Sequence, residues 1–267
     1  EVLENVAEVG FRPLRPLTAD LTFLSTRDLL PPSEVVADRR VQGLLAQERA
    51  DVAGVDVGWE TRRALRSRVS FRPRIVSWLR NEVTWSSRFD GERNATFVEI
   101  VPQPIDSLYR LQRNAVGEKT TSALIALDPE VIARGLTAGR ASERRAAWAR
   151  IIESFSPVTF TAQDGIFSRF DRDVVDPGVD YQLGWTGRGG YRVLAGDTAA
   201  TLVDRTSRRL SWGLATGPLG VDASWGDAET VTLDARADRT IRTRTWPDVR
   251  VRWEVSAAPT GSDRRLQ

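Results

Sequence analysis

Four short stretches contain residue types whose spacing resembles that of a catalytic, binding or modification site. Trp246-Pro247-Asp248 matches the mobile acid loop of protein tyrosine phosphatases. That loop serves a cysteine nucleophile, and the chain contains no cysteine. A turn that leads into a strand explains the same three residues, and we interpret them in that way.

The carboxylates of Asp171, Asp173 and Asp176 are spaced somewhat like the ligands of a calcium loop. The segment lacks the glycine and the terminal bidentate glutamate of such a loop, so we interpret it as a polar loop. Gly187-Arg188-Gly189-Gly190 is too isolated to hold a phosphate and is predicted to form a hairpin tip. Asn94-Ala95-Thr96 matches a glycosylation acceptor, a pattern that is common by chance.

The composition argues against an enzyme. The chain has no histidine, which removes the commonest general base and metal ligand, and the lack of cysteine removes thiolate chemistry. We therefore predict no catalytic, cofactor-binding or metal-binding residue and no cofactor, and substrate-binding residues stay unassigned. Lys+Arg 38 against Asp+Glu 36 leaves a net charge of +2, so no charge imbalance favours a nucleic acid partner.

The final segment of the chain has two distinct faces. Val249, Val251, Trp253 and Val255 alternate with charged or polar residues at 250–256. Because successive side chains of a strand point to opposite faces, this pattern predicts one apolar and one charged face.

Similar alternation predicts further strands, joined in series as antiparallel hairpins. They cover residues 17–26, 52–60, 64–72, 78–89, 95–101, 158–163, 179–185, 208–216, 219–226 and 229–238. Turns are expected at Asp90-Gly91, Gly217-Pro218 and Asp227-Ala228. Residues 1–16 contain two prolines and are expected to be a linker or the start of a strand, and residues 114–121 an exposed loop.

Helices are predicted in two regions. Ser33 could cap a short helix over 34–48, and Asp128-Pro129-Glu130 has the residues of a helix start. In a further helix over 142–155, Trp148, Ile151, Ile152 and Phe155 form one apolar stripe. Such a stripe is expected to pack on the protein itself, with a membrane surface as the alternative.

These elements predict a mainly all-β chain of antiparallel up-and-down strands, forming part of an outer-membrane β-barrel with one or two short helices around 128–155. The whole chain, 1–267, is expected to be one barrel segment. Its parts are a first strand group (17–101), a helical insertion (128–155), a second strand group (157–256) and a loose tail (257–267). The lack of an initiator methionine and of a signal peptide predicts numbering that starts inside a longer or processed chain.

A membrane barrel and a soluble sheet both need one apolar face, so alternation alone does not separate them. Several strands of nine or ten residues favour the barrel, since that length crosses a bilayer when tilted. The tryptophans near strand ends suit an interfacial aromatic girdle; they are Trp59, Trp78, Trp185, Trp225 and Trp246. The arginine row suits a water-filled lumen or an ordinary solvated face; it comprises Arg62, Arg66, Arg68 and Arg72.

Several phrases together resemble the SprA-type family of very large cell-surface proteins, the giant barrel translocons of type nine secretion and gliding motility. They are Ser25 to Pro32, Val57 to Glu60, Phe71 to Arg74, Ser77 to Arg80, Asp176 to Trp185, Gly196 to Thr198 and Arg244 to Asp248. These are strand-and-turn phrases, and none transfers a functional residue. The chain is far shorter than a complete member, and Gln267 is not the terminal aromatic of many outer-membrane barrels.

The resemblance implies a wall segment of an outer-membrane pore that exports folded cargo proteins. Its implied partners are membrane lipid, the secreted cargo, and periplasmic or plug subunits of a secretion complex. The alternative is a soluble or surface-displayed β-sheet module that binds carbohydrate or protein through exposed Trp and Tyr.

Overall fold

A computed structural model describes residues 1–101, 108–138, 143–173, 176–194, 196–216, 219–234 and 237–253. The strands in these ranges are β1 (Val2–Leu14), β2 (Leu17–Asp28), β3 (Arg49–Val52), β4 (Val55–Phe71), β5 (Leu79–Val101), β6 (Leu108–Leu127), β7 (Val158–Asp173), β8 (Val193–Leu194), β9 (Asp197–Thr198), β10 (Thr201–Thr216), β11 (Leu219–Asp234) and β12 (Ala237–Trp253). The helices are α1 (Pro32–Val35), α2 (Arg39–Glu48), α3 (Pro129–Thr137), α4 (Glu143–Glu153), α5 (Val179–Gln182) and α6 (Arg188–Arg192).

Ten of these strands form one antiparallel sheet in the order β1-β2-β4-β5-β6-β7-β10-β11-β12, with β3 paired to β4 alone. Neighbouring strands in this order follow one another along the chain apart from the short insertions, which is up-and-down topology. β8 and β9 form a separate hairpin. Among the described residues, β1 and β12 are the two edges of an open sheet. The predicted mainly-β, antiparallel up-and-down fold is confirmed.

The register assigns the side chains of the paired strand residues to the two faces of the sheet. The apolar face carries Leu65 and Phe89, which are direct partners, together with Ser168 and Leu202, which are partners further along the sheet. The polar face carries the alternate residues, such as Arg66. We use these two names for the faces throughout.

A hydrophobic core lies on one half of the apolar face. Phe89 and Phe170 pack there against Tyr181 and Tyr191, which come from the segment between β7 and β8. We call residues 176–194 of this segment the strap. A second cluster joins α2 to β4 and β5 through Leu45, fully buried, and Trp59, 3% exposed. Among the described residues no helix has both the length and the apolar composition to cross a bilayer.

The N-terminal prediction was wrong. Residues 2–14 form a full edge strand, and their ladder to β2 runs unbroken from Val2 to Phe11. Pro13 and Pro16 lie only where that ladder ends at the β1–β2 turn. Proline is tolerated at an edge and at a strand end because no ladder hydrogen bond is lost there.

Three predicted breaks lie inside strands. Asp90-Gly91 does not turn, because Asp90 pairs with both Ala64 and Val116 in the middle of β5. Asp227-Ala228 likewise lies within β11, and the predicted loop over 114–121 is part of β6. In each case hydrogen bonds on both sides stabilise the extended chain against the local turn preference. The predicted pair 52–60 and 64–72 is for the most part the single long strand β4.

The predicted strand over 179–185 was also wrong. Tyr181 to Trp185 forms the end of α5 and a turn, with the Leu183 amide donating to the Val179 carbonyl at 2.8 Å. Gly187-Arg188-Gly189-Gly190 begins α6 and is not a hairpin tip. Glycines and the buried tyrosines make the strap compact, so local alternation is overridden by packing on the sheet.

The helix predictions were closer. Asp128 caps α3 by accepting from the Val131 amide at 3.3 Å, and α4 covers most of the predicted 142–155. The region 34–48 is split into α1 and α2. The predicted cap at Ser33 was wrong, since Ser33 lies inside α1 and Asp38 caps α2 by accepting from the Arg40 amide at 2.8 Å. The stripe on α4 does not pack inward, since Trp148 is 63% and Ile151 51% exposed. The predicted turn at Gly217-Pro218, Val255 and the tail at 257–267 lie outside the described residues.

Candidate functional site

A continuous apolar surface crosses the apolar face at the end of the sheet that holds the β1–β2 turn, where β10 ends and β11 begins. We call it the apolar belt. Its border next to the β1–β2 turn is the turn side, and the opposite border, next to the strap, is the loop side. Its members are Val9, Phe11, Leu14, Leu17, Ala19, Leu21, Val69, Phe71, Leu79, Val83, Trp85, Ala123, Ile125, Leu127, Val158, Phe160, Ala162, Leu210, Trp212, Leu214, Leu219, Val221, Ala223, Trp225, Val249, Val251 and Trp253. Asn81 is its polar exception.

The belt is open to its surroundings along the sheet. Phe11 is 63% exposed at one edge, Ile125 44% exposed in a central strand, and Val251 64% exposed at the other edge. Soluble monomers rarely expose so large a contiguous apolar patch, so the belt marks a contact surface. Val249, Val251 and Trp253 lie on one side of the sheet, as their alternation in the sequence predicts.

The opposite face is polar at the same level. Arg66, Arg68 and Ser86 lie there, and Arg252 pairs with Asp222 at 2.7 Å. Leu124 and Ala126 are apolar exceptions in β6. This face carries three members of the predicted arginine row, Arg62, Arg66 and Arg68.

The polar face is concave. Side chains from five neighbouring strands, Thr26, Arg62, Asp90, Glu118 and Phe167 among them, line one depression of about 770 Å³. Strands that far apart share a depression when a sheet curls toward that face. The apolar belt therefore lies on the convex side and the charged residues on the concave side.

The belt runs obliquely to the pairing of the strands. Hydrogen-bonded neighbours connect Phe11 of β1 through Val69 to Arg242 of β12. In β1 the middle of the belt is Phe11. In β12 the middle of the belt is Val251, which lies nine positions beyond Arg242. One of these positions is taken up by the bulge opposite Trp225.

The displacement is therefore about eight residues over the eight steps from β1 to β12, or about one residue per strand. With a rise of about 3.3 Å per residue and a strand spacing of about 4.8 Å, this tilts the strands by about 35° from the normal of the belt. Strands of closed and transmembrane barrels are tilted by about 35–45°.

The belt spans from two apolar positions in β4, Val69 and Phe71, to four in β11. In β11 it extends from Leu219 to Trp225, about 20 Å along the strand, which at a tilt of about 35° is about 16 Å across the belt before the width of the side chains is added. The apolar band of outer-membrane barrels is about 25 Å tall.

Tryptophans lie at both borders of the belt. Trp85 and Trp225 end it on the loop side, and Trp253 ends it on the turn side, where Trp78 is also exposed. Trp59, which the sequence also placed in a girdle, is buried in the α2 cluster and belongs to the core. The side chain of Trp246 lies outside the described residues.

The apolar surface continues onto α4 at the turn side. Phe155, just after this helix, forms a bridge with Leu214 of the belt, and Trp148 and Ile151 are exposed on the helix itself. The stripe predicted to pack inward therefore adjoins the belt.

The strap covers the apolar face on the loop side of the belt. The Tyr181 hydroxyl contacts Ser168 Oγ at 2.8 Å and lies over Gly117, where an added Cβ would be 2.5 Å from the phenol oxygen. Burial raises the pKa of Tyr181 to about 12. Burial also raises the pKa of Tyr191, whose hydroxyl has no hydrogen-bond partner among the described residues.

Asp176 holds the start of the strap through ion pairs with three sheet arginines. The distances are 2.6 Å to Arg113, 3.4 Å to Arg93 and 3.7 Å to Arg63. This carboxylate, one of the three considered as a calcium ligand, is engaged by cations. Asp171 pairs with Arg169, and no metal-binding group of three side chains occurs within the described ranges.

Sequence reasoning did not find the strap as a packed unit. Its signals were Pro177 and the glycines at 178, 184, 187, 189 and 190, which are unusual inside a strand. Asn94 of the glycosylation pattern accepts from the Thr96 amide at 2.9 Å within β5.

No protein-family model matches the chain, and no curated protein sequence matches it either.

Proposed function

We propose that the chain is a wall segment of an outer-membrane barrel used for protein translocation. The observation that carries the membrane part is the oblique apolar belt. A bilayer is flat, so tilted strands meet it at a different residue in each strand, and the lipid-facing residues advance steadily through the register. A soluble contact surface imposes no such advance.

The two faces have matching roles in this proposal. Val, Leu, Ile and Trp of the belt contact hydrocarbon, while the arginines, carboxylates and hydroxyls of the polar face keep a lumen wet. The wall acts passively and needs no catalytic residue. Protein export, secreted cargo and periplasmic or plug partners are supported by the resemblance of the strand-and-turn phrases to the SprA-type family.

The alternative is a soluble or surface-displayed module that binds carbohydrate or protein. The depression on the polar face and the exposed tryptophans favour it. It leaves unexplained why the open apolar residues follow a plane whose normal is tilted by about 35° from the strands.

A pair of neighbouring substitutions in β12 tests the assignment of the faces. Val251→Arg puts a charge in the middle of the belt, which costs about 2–4 kcal/mol in hydrocarbon, while Arg252→Val changes the polar face. We expect Val251→Arg to reduce the amount of chain assembled in the outer-membrane fraction and Arg252→Val to leave it near the wild-type level. Equal effects of the two substitutions would contradict the proposal.

A further inference from the structure

The strap comes closest to the apolar belt at the loop-side border of the belt. Ser87 Oγ donates to the Leu183 carbonyl at 2.7 Å, and Lys119 Nζ donates to the Thr186 carbonyl at 3.4 Å. Ser87 and Lys119 are direct partners in neighbouring strands, one row above Trp85 of the belt. Residue 185 therefore lies over this row, at the edge of the apolar belt.

The strap has one buried and one open side. Tyr181 and Tyr191 are at most 3% exposed against the sheet, whereas Trp185 is 65% and Val179 64% exposed. The Trp185 amide donates to the Asp180 carbonyl at 2.7 Å, so the backbone is fixed while the indole is left outside. The backbone of the strap therefore holds the exposed Trp185 side chain at one place beside the belt.

Two basic residues lie at the same border of the belt. Lys119 is the single lysine of the sequence, and Arg188 is held by Asp164 at 2.6 Å and by Asp204 at 3.4 Å. Tryptophan and basic residues concentrate where a bilayer passes from hydrocarbon to phosphate headgroups. The strap combines both at the level where the belt ends.

We propose that the strap is a membrane-interface anchor, with Trp185 inserted among the lipid headgroups outside the sheet. The inference rests on the proposed function, because the belt must lie in a bilayer for its border to lie at the headgroups. The occupant of this surface is a lipid surface that is continuous with the lipid around the belt.

The absence of cysteine allows a single nitroxide label at any chosen position. A Cβ at Gly187 or Gly178 meets no atom within 4 Å, so Gly187→Cys and Gly178→Cys place labels on the strap without displacing it. Gly187 is next to the belt border, and Gly178 is next to Asp176 at the far end. Ile125→Cys reports on the belt itself.

The three labelled chains are compared in vesicles of phosphatidylethanolamine and phosphatidylglycerol by the accessibility of each nitroxide to oxygen and to a water-soluble nickel chelate. We expect Ile125→Cys to report hydrocarbon, Gly178→Cys water, and Gly187→Cys a depth between them. Trp185→Ala in the Gly187→Cys chain is expected to shift that label toward the value at Gly178.

Each failure has its own pattern. A Gly187 label as open to nickel as the Gly178 label, with the Ile125 label still in hydrocarbon, overturns the anchor alone. A Gly187 depth that Trp185→Ala leaves unchanged overturns the role of the indole. An Ile125 label in water overturns the proposed function itself.

Discussion

At the scale of single residues, the fit between Tyr181 and Gly117 decides how closely the strap lies on the sheet. The phenol ring makes edge contacts with Phe89 and Phe170, with ring centres 6.1 and 5.9 Å away. Its hydroxyl reaches Ser168 only because Gly117 has no side chain. A glycine in the middle of a strand is unfavourable by itself, and here it permits this close approach.

Gly117→Ala is expected to displace the strap. The new Cβ would be 2.5 Å from the Tyr181 oxygen, and overpacking of this kind costs about 1–3 kcal/mol. We expect faster hydrogen exchange of the Leu183 and Gly184 amides. The matched control is Gly165→Ala in the next strand, where the nearest atom would be 3.5 Å away. Equal exchange in both variants would show that the contact does not hold the strap.

At the scale of the element, the strap is a packed insertion held at both ends. Asp176 pairs with arginines of β4, β5 and β6, and Arg188 pairs with carboxylates of β7 and β10. The pairs of Arg188 are largely exposed and contribute little each, whereas Arg93 and Arg113 are largely buried beside Asp176. The buried tyrosines supply the apolar contact area of the docking. Ionisation of Tyr181 should therefore release the strap.

The docking of the strap is expected to weaken at alkaline pH. Burial raises the pKa of Tyr181 to about 12 from 10.0, so the docked state favours the protonated phenol. This contribution is fully present below about pH 10 and is lost as the pH rises through about 12, at up to about 1.4 kcal/mol per pH unit.

Absorbance of the phenolate gives the measurement, because the chain has only three tyrosines. The difference between the titrations of the wild-type chain and of Tyr181→Phe isolates Tyr181, and we expect its midpoint near 12. A midpoint near 10 would show a phenol that is open to water.

At the scale of the whole molecule, the sheet is a curved wall, and within the described ranges its two edge strands have no partner on their outer side. β1 and β12 are exposed along almost their full described lengths. Neighbouring strands of the sheet alternate in direction. β1 and β12 are the first and the ninth strand in the order of the sheet, so they run in the same direction. Neither edge can therefore pair antiparallel with the other, and each is open to a further strand.

The chain as a whole is expected to behave as an integral membrane protein. Its exposed belt keeps it in the membrane pellet after alkaline carbonate extraction, and detergent releases it, because apolar surface stays out of water at about 25 cal/mol per Å². The measurement is the share of the chain in the supernatant and in the detergent extract. Recovery in the carbonate supernatant would favour the soluble binding module.

Much of the fold could be predicted from alternation. In β12 the pattern at Val249, Val251 and Trp253 indicates the strand and its apolar side, because side-chain direction repeats every two residues. Strand lengths were harder to predict. Asp90-Gly91 has the residues of a turn, and only the partners at Ala64 and Val116 keep it extended.

The sequence by itself determined which residues share a face, and hence that one side of the sheet would be apolar and the other charged. That property is local, since it depends only on the two-residue repeat of a strand. Only the tertiary structure decided the tilt of the belt and the position of the strap. Both depend on which distant residues are paired or packed together, as Phe160 with Leu210 and Gly117 with Tyr181 are, and no local pattern encodes that pairing.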